Sequence, residues 1–147
     1  MPMTQVDFYI LKQPEQSDRM YFACRLTEKV MNQGLKIYIH AENEQAAQDI
    51  DDLLWSFKPE CFIPHAILGI DEELNDDEDI PVFIGFGDNF AERSDLLINL
   101  SSDIPGFLEN FSRIAEIVPN AEEAKNKLRE HWNTYKDKGF ELKHHEL

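Results

Sequence analysis

Short apolar runs alternate along the chain with longer stretches in which apolar residues recur every three or four positions. Residues 6–11 (VDFYIL) are short, apolar and rich in strand formers, which predicts a strand. Asp18 is placed to cap a helix running to about Asn32, with Met20, Ala23, Leu26, Val30 and Met31 on its inner face and Gly34 as the stop. Residues 36–41 (KIYIHA) predict the next strand. Asn43 caps a second helix through Phe57, ended by Pro59. Residues 81–86 and 96–100 read as buried strands. Asp103 is placed to cap a helix from about Pro105 to Val118, with Pro105 near its first turn. Pro119 then breaks the chain, and a last helix runs from about Ala121 to Lys138, closed by Gly139. Strand and helix alternating at this spacing predict an α/β fold, a mostly parallel sheet flanked by helices.

The chain of 147 residues is expected to form one domain over 1–142, with 143–147 as a flexible tail. Residues 71–79 (DEELNDDED) read as a solvated acidic loop, since the glycine of a calcium loop is missing. Net charge is −15, from 29 acidic and 14 basic residues, so the average surface repels a polyanion and contact with DNA is expected to be indirect. Two cysteines, Cys24 and Cys61, do not make a disulfide framework and are expected to be reduced. No secretory leader and no apolar run of membrane-spanning length is visible, so a cytoplasmic protein that makes no membrane contact is expected.

An α/β pattern invites a search for a phosphate-binding loop. The turn after the first strand, KQPEQSD at 12–18, contains no glycine, so backbone amides there do not closely approach a pyrophosphate. Gly85-Phe86-Gly87 reads as a turn after a strand. The five histidines, at 40, 65, 131, 144 and 145, show no metal-ligand spacing with the cysteines. No metal, no cofactor and no catalytic constellation is predicted.

The last helix is the exception to the acidic balance: residues 123–140 hold Lys125, Lys127, Arg129, Lys136 and Lys138. At ~100° per residue, Lys125, Arg129, Trp132 and Lys136 share one narrow stripe. Ala121, Ala124, Leu128 and Tyr135 form the neighbouring, core-facing arc, and Trp132 sits at the border. That pattern suits an acidic peptide with an aromatic or apolar end: the cations receive carboxylates and the indole supplies apolar area. The plainer reading is that cations near a helix C-terminus complement its dipole.

A second feature is LLWSFKPECFIPH, residues 53–65. Ala46, Ala47, Ile50, Leu53, Leu54 and Phe57 share one helix face, and Trp55 points elsewhere. Phe62, Ile63 and Pro64 follow closely. Either the loop folds over Trp55 or the cluster is an apolar patch that awaits a partner.

These segments, with others, also carry a family resemblance. VDFYIL, KIYIHA, LLWSF followed by CFIPH, PVFIG, DLLINL and the ending EIVP…K…R…W…Y…GFEL occur in order from residue 6 to about 142. The chain resembles the chi subunit of the bacterial DNA polymerase III holoenzyme. The resemblance implies a three-layer, nucleotide-fold-like α/β domain that lacks a phosphate-binding loop, and an adaptor rather than a catalyst. The implied partners are the psi subunit of the clamp loader, in a 1:1 heterodimer, and the acidic, phenylalanine-ended C-terminal tail of single-stranded-DNA-binding protein. The implied tail site is Val118, Lys125, Arg129 and Trp132; the family's further basic residue is replaced by Asn133, which either loosens the site or shifts that role to Lys136. The implied psi surface is Trp55, Phe62, Ile63 and Pro64. Two rival readings are a small nucleotide- or flavin-binding enzyme on the same architecture, and direct stacking of single-stranded DNA on Trp132.

Overall fold

A computed structural model describes residues 4–12, 14–56, 65–67, 81–87, 95–106 and 111–146. In chain order the elements are β1 (Gln5–Ile10), α1 (Gln16–Met31), β2 (Ile37–Ala41), α2 (Glu44–Ser56), β3 (His65–Ile67), β4 (Val82–Phe86), β5 (Leu96–Asn99), β6 (Arg113–Val118), α3 (Glu122–Asp137) and β7 (Glu141–Glu146). The strands form one seven-stranded sheet in the order β3-β4-β2-β5-β6-β1-β7. Every pairing is parallel.

A parallel sheet is covered on both faces, so its inner strands read as continuous apolar runs. β2 is buried at all five positions. Its Ile37, Ile39 and Ala41 pack with Ala23 and Cys24 of α1 and with Ala47, Ile50 and Leu54 of α2. Tyr38 points the other way, into a cluster with Val6, Phe8, Leu97, Ile114 and Tyr135 of α3. The chain is therefore three layers, with α1 and α2 on one face and α3 on the other. Burial pushes the Cys24 thiol up to about 12, as befits an unreactive core cysteine. Asn43 caps α2 as expected, its Oδ1 accepting from Ala46 N at 2.9 Å. Gly34 and Gly139 both sit at φ +82, the left-handed conformation that ends a helix at low cost with glycine.

Three expectations are corrected. α1 begins at Gln16, and Asp18 lies within its first turn rather than at the cap, where it still complements the dipole. The helix expected from Pro105 to Val118 is not formed: residues 113–118 are β6, paired with β5 and β1. Ile114, Ala115, Ile117 and Val118 are buried on both sides of the sheet, and a strand buried on both faces carries no alternation to separate it from a helix. Asp103 offers its backbone carbonyl to Asn99 and Ser101. Finally, the tail expected from residue 143 is strand through Glu146, because the β1 edge offers a full parallel ladder from Gln5↔Glu141 to Ile10↔Glu146. The acidic run at 71–79, Cys61 and Leu147 lie outside the described residues.

Candidate functional site

α3 crosses the sheet above β6, β1 and β7. Tyr135 and His131 are its buried residues, and Ala124, Leu128 and Trp132 pack partly buried beside them. Ala124, Leu128 and Tyr135 of the expected core arc are thus in place with His131 added, while Ala121 stands at the N-cap, outside that cluster. Lys125, Arg129 and Lys136 are exposed, spaced i, i+4 and i+11 along the helix. Among the described residues no carboxylate lies within ion-pair distance of any of the three, whereas Lys127, on another face, meets Glu130 at 3.6 Å. Arg129 donates to Asn126 Oδ1 at 3.2 Å, a neutral contact that leaves its charge uncompensated.

Trp132 is half-buried. Its indole lies 5.2 Å from the ring of Phe8, tilted by 38°. Phe8 is fully buried in β1 and supports the indole from below. Val118, at the end of β6, is buried in the same cluster. Beside Phe8 stands His144 of β7, ring centroid 6.3 Å from the indole and steeply inclined at 62°. Sequence spacing brought Lys125, Arg129, Trp132 and Lys136 together on one helix. It did not find Phe8 or His144, which reach the indole only because β1 and β7 pair.

Beneath α3 lies a buried polar network that local spacing also missed. Glu116 Oε2 accepts from Tyr135 Oη at 2.6 Å and from Asn99 Nδ2 at 2.8 Å. Its Oε1 faces His131 Nδ1 at 3.1 Å, while His131 Nε2 faces the Ser102 carbonyl at 3.0 Å. Burial opposes a charge on His131, but Glu116 and the Ser102 carbonyl outweigh it and hold the imidazole above its usual range. With acceptors on both ring nitrogens the imidazolium is the form that satisfies the site. Burial and the Glu116 charge both push the Tyr135 phenol up, so it remains a donor. Arg19 of α1 donates to the carbonyls of Ile117, Leu100 and Asn99 at 2.9, 3.0 and 3.4 Å, tying α1 to the ends of β5 and β6.

A cavity of about 400 Å³ opens at these strand ends, where ligands of α/β folds commonly bind. Arg19, Lys127 and His131 line it against Glu42, Glu116 and Glu123, so its charges cancel. Glu42 is held by Ser102 Oγ at 2.8 Å, and Arg19, Glu116 and His131 are engaged as described, leaving little polarity directed at a guest.

Trp55 lies at the end of α2, 55% exposed. Phe62, Ile63 and Pro64 fall outside the described residues. α2 packs on the β3-β4-β2 side and α3 on the β6-β1-β7 side, on opposite faces of the sheet. The two candidate surfaces are accordingly separated by the whole sheet. No described group of three or more His, Cys, Asp or Glu is arranged to hold a metal ion, and no described helix is long and apolar enough to cross a membrane.

A family model, "DNA polymerase III chi subunit, HolC", matches residues 3–143. DNA polymerase III subunit chi of Pseudomonas aeruginosa is 39% identical over 145 residues, covering 99% of this chain and 98% of that protein. The Haemophilus influenzae subunit of the same name is 32% identical over 136 residues, covering 92% of each chain. The Escherichia coli subunit is 26% identical over 145 residues, covering 95% of this chain and 96% of that one. Among solved structures, T4 UvsW superposes with a TM-score of 0.66 at 7% identity, over 98% of this chain and 41% of that one. The Pyrococcus furiosus Hef helicase domain gives 0.53 at 12% identity, over 79% of this chain and 28% of that one. At such identities the likeness is one of fold alone.

Proposed function

The chain belongs to the DNA polymerase III chi subunit family, an accessory role in DNA replication, and from that membership we propose that it is a non-catalytic adaptor. In this reading it works in the cytoplasm, bridging the psi subunit, and through it the clamp loader, to the acidic C-terminal tail of single-stranded-DNA-binding protein. The observation that carries the tail assignment is the uncompensated stripe of Lys125, Arg129 and Lys136 beside a half-buried Trp132, on a chain whose net charge is −15. Carboxylates of the tail pair with Arg129 and Lys125, and its terminal phenylalanine packs against Trp132 and the apolar cluster that holds Val118. Psi docks through Trp55 with Phe62, Ile63 and Pro64, on the opposite face. The balanced charges of the strand-end cavity favour this reading over a nucleotide- or flavin-binding enzyme. Isothermal titration with an acidic peptide ending in phenylalanine tests it: saturable binding that salt weakens supports the tail site, and no heat at low salt refutes it.

A further inference from the structure

In β7 the side chains alternate between the two faces of the sheet. Leu142 falls on the α3 side, packed with the cluster around Phe8. His145 falls on the other, stacked on Tyr9 at 5.0 Å and 3.1 Å from Asp7. His144 is paired in register with Phe8, so it too stands on the α3 side, exposed and against Trp132. The indole is therefore bordered from two elements: by Arg129 and Lys136, one turn to either side of it on α3, and by a histidine on the edge strand.

We propose that His144 is a further contact residue of the site at Trp132, engaging a carboxylate of the bound acidic chain end from the side of β7. The inference rests on the reading of α3 as the site for that chain end and adds a second element to it. On the β1 side the register partner of His144 is Phe8, an apolar neighbour. From α3 it meets Trp132, which Arg129 and Lys136 flank along that helix. On its own strand Glu146, two residues on, attracts a cation. A carboxylate placed beside an imidazole favours its charged form, so binding at this contact takes up a proton. Histidine changes charge between about pH 5 and 8, a range in which the peptide's carboxylates stay ionised.

The test is isothermal titration of the full chain with an acidic peptide ending in phenylalanine, at pH 6 and pH 8. Wild type is compared with His144→Phe, which keeps a ring against Trp132 but no charge, and with Arg129→Ala. Wild-type affinity is expected to rise on acidification by about two- to fivefold, the range of one exposed ion pair. His144→Phe is expected to remove that rise while still binding at pH 8. His131, buried and bonded on both nitrogens, is common to both proteins and cancels in the comparison. Equal affinities and equal pH dependence in wild type and His144→Phe, with Arg129→Ala still impaired, overturn the role of His144 and leave the α3 site standing. Absence of binding by wild type at either pH overturns both.

Discussion

The hydroxyl of Tyr135 donates to the carboxylate of Glu116 across 2.6 Å, joining the middle of β6 to the underside of α3 in a place that water does not reach. The same carboxylate holds Asn99 and His131, so one acidic side chain fixes where α3 sits. Tyr135→Phe keeps the ring and removes the donor. A hydrogen bond to a buried charge contributes about 1.5–3 kcal/mol, and a loss of that size in urea unfolding is expected. A change below about 0.5 kcal/mol would show that the network does not anchor the helix.

His131 makes the same anchor sensitive to pH. Its folded value lies above the ordinary one, so its contribution is complete below the unfolded value of about 6.5 and is lost as pH rises through the raised folded value. The stability gap between wild type and His131→Gln should be widest near pH 6 and narrow toward pH 9, measured by denaturant unfolding across that series. A gap that does not vary would mean the imidazole never changes charge there.

Gly85 in β4 lies against the ring of Tyr38, and a Cβ built at Gly85 collides with the phenol oxygen and two ring carbons. Gly85→Ala should cost about 1–3 kcal/mol through this overpacking. Because the nearest colliding atom is the hydroxyl, Tyr38→Phe should recover part of the loss in the Gly85→Ala background. Strict additivity of the two substitutions in thermal unfolding would place the strain elsewhere.

Arg129→Ala should weaken an acidic, phenylalanine-ended peptide roughly fivefold at low salt, about 1 kcal/mol, and the difference should shrink at 1 M salt. Fluorescence anisotropy of a labelled peptide reads both. Unchanged affinity would remove Arg129 from the site.

Trp55 is exposed, so Trp55→Ala should leave folding stability within about 0.5 kcal/mol of wild type while abolishing co-purification with a co-expressed psi subunit. Undiminished co-purification would overturn the proposed psi surface at the end of α2.

Much of this fold is written locally. IYIHA at β2 is apolar on both sides because helices cover both sides, and Asn43 announces α2 with a side chain suited to a cap. The stripe from Lys125 to Lys136 is legible because one helix carries all of it. What spacing could not show depends on which strands become neighbours. Residues 113–118 contain Glu116, which looks like a helix-surface acid until Asn99 of β5 and His131 and Tyr135 of α3 arrive to satisfy it. His144 belongs to the Trp132 surface only through a ladder between residues more than a hundred positions apart. Its local sequence, KHHE, has the polarity of a loose end.

The placement of α2 and α3 on opposite faces of one sheet bears on how the proposed guests combine. Neither would touch the other, and each could remain seated while its counterpart comes and goes. The two binding constants should then multiply without cooperativity, and a polymerase held at one face would experience a raised local concentration of the strand-coating protein held at the other.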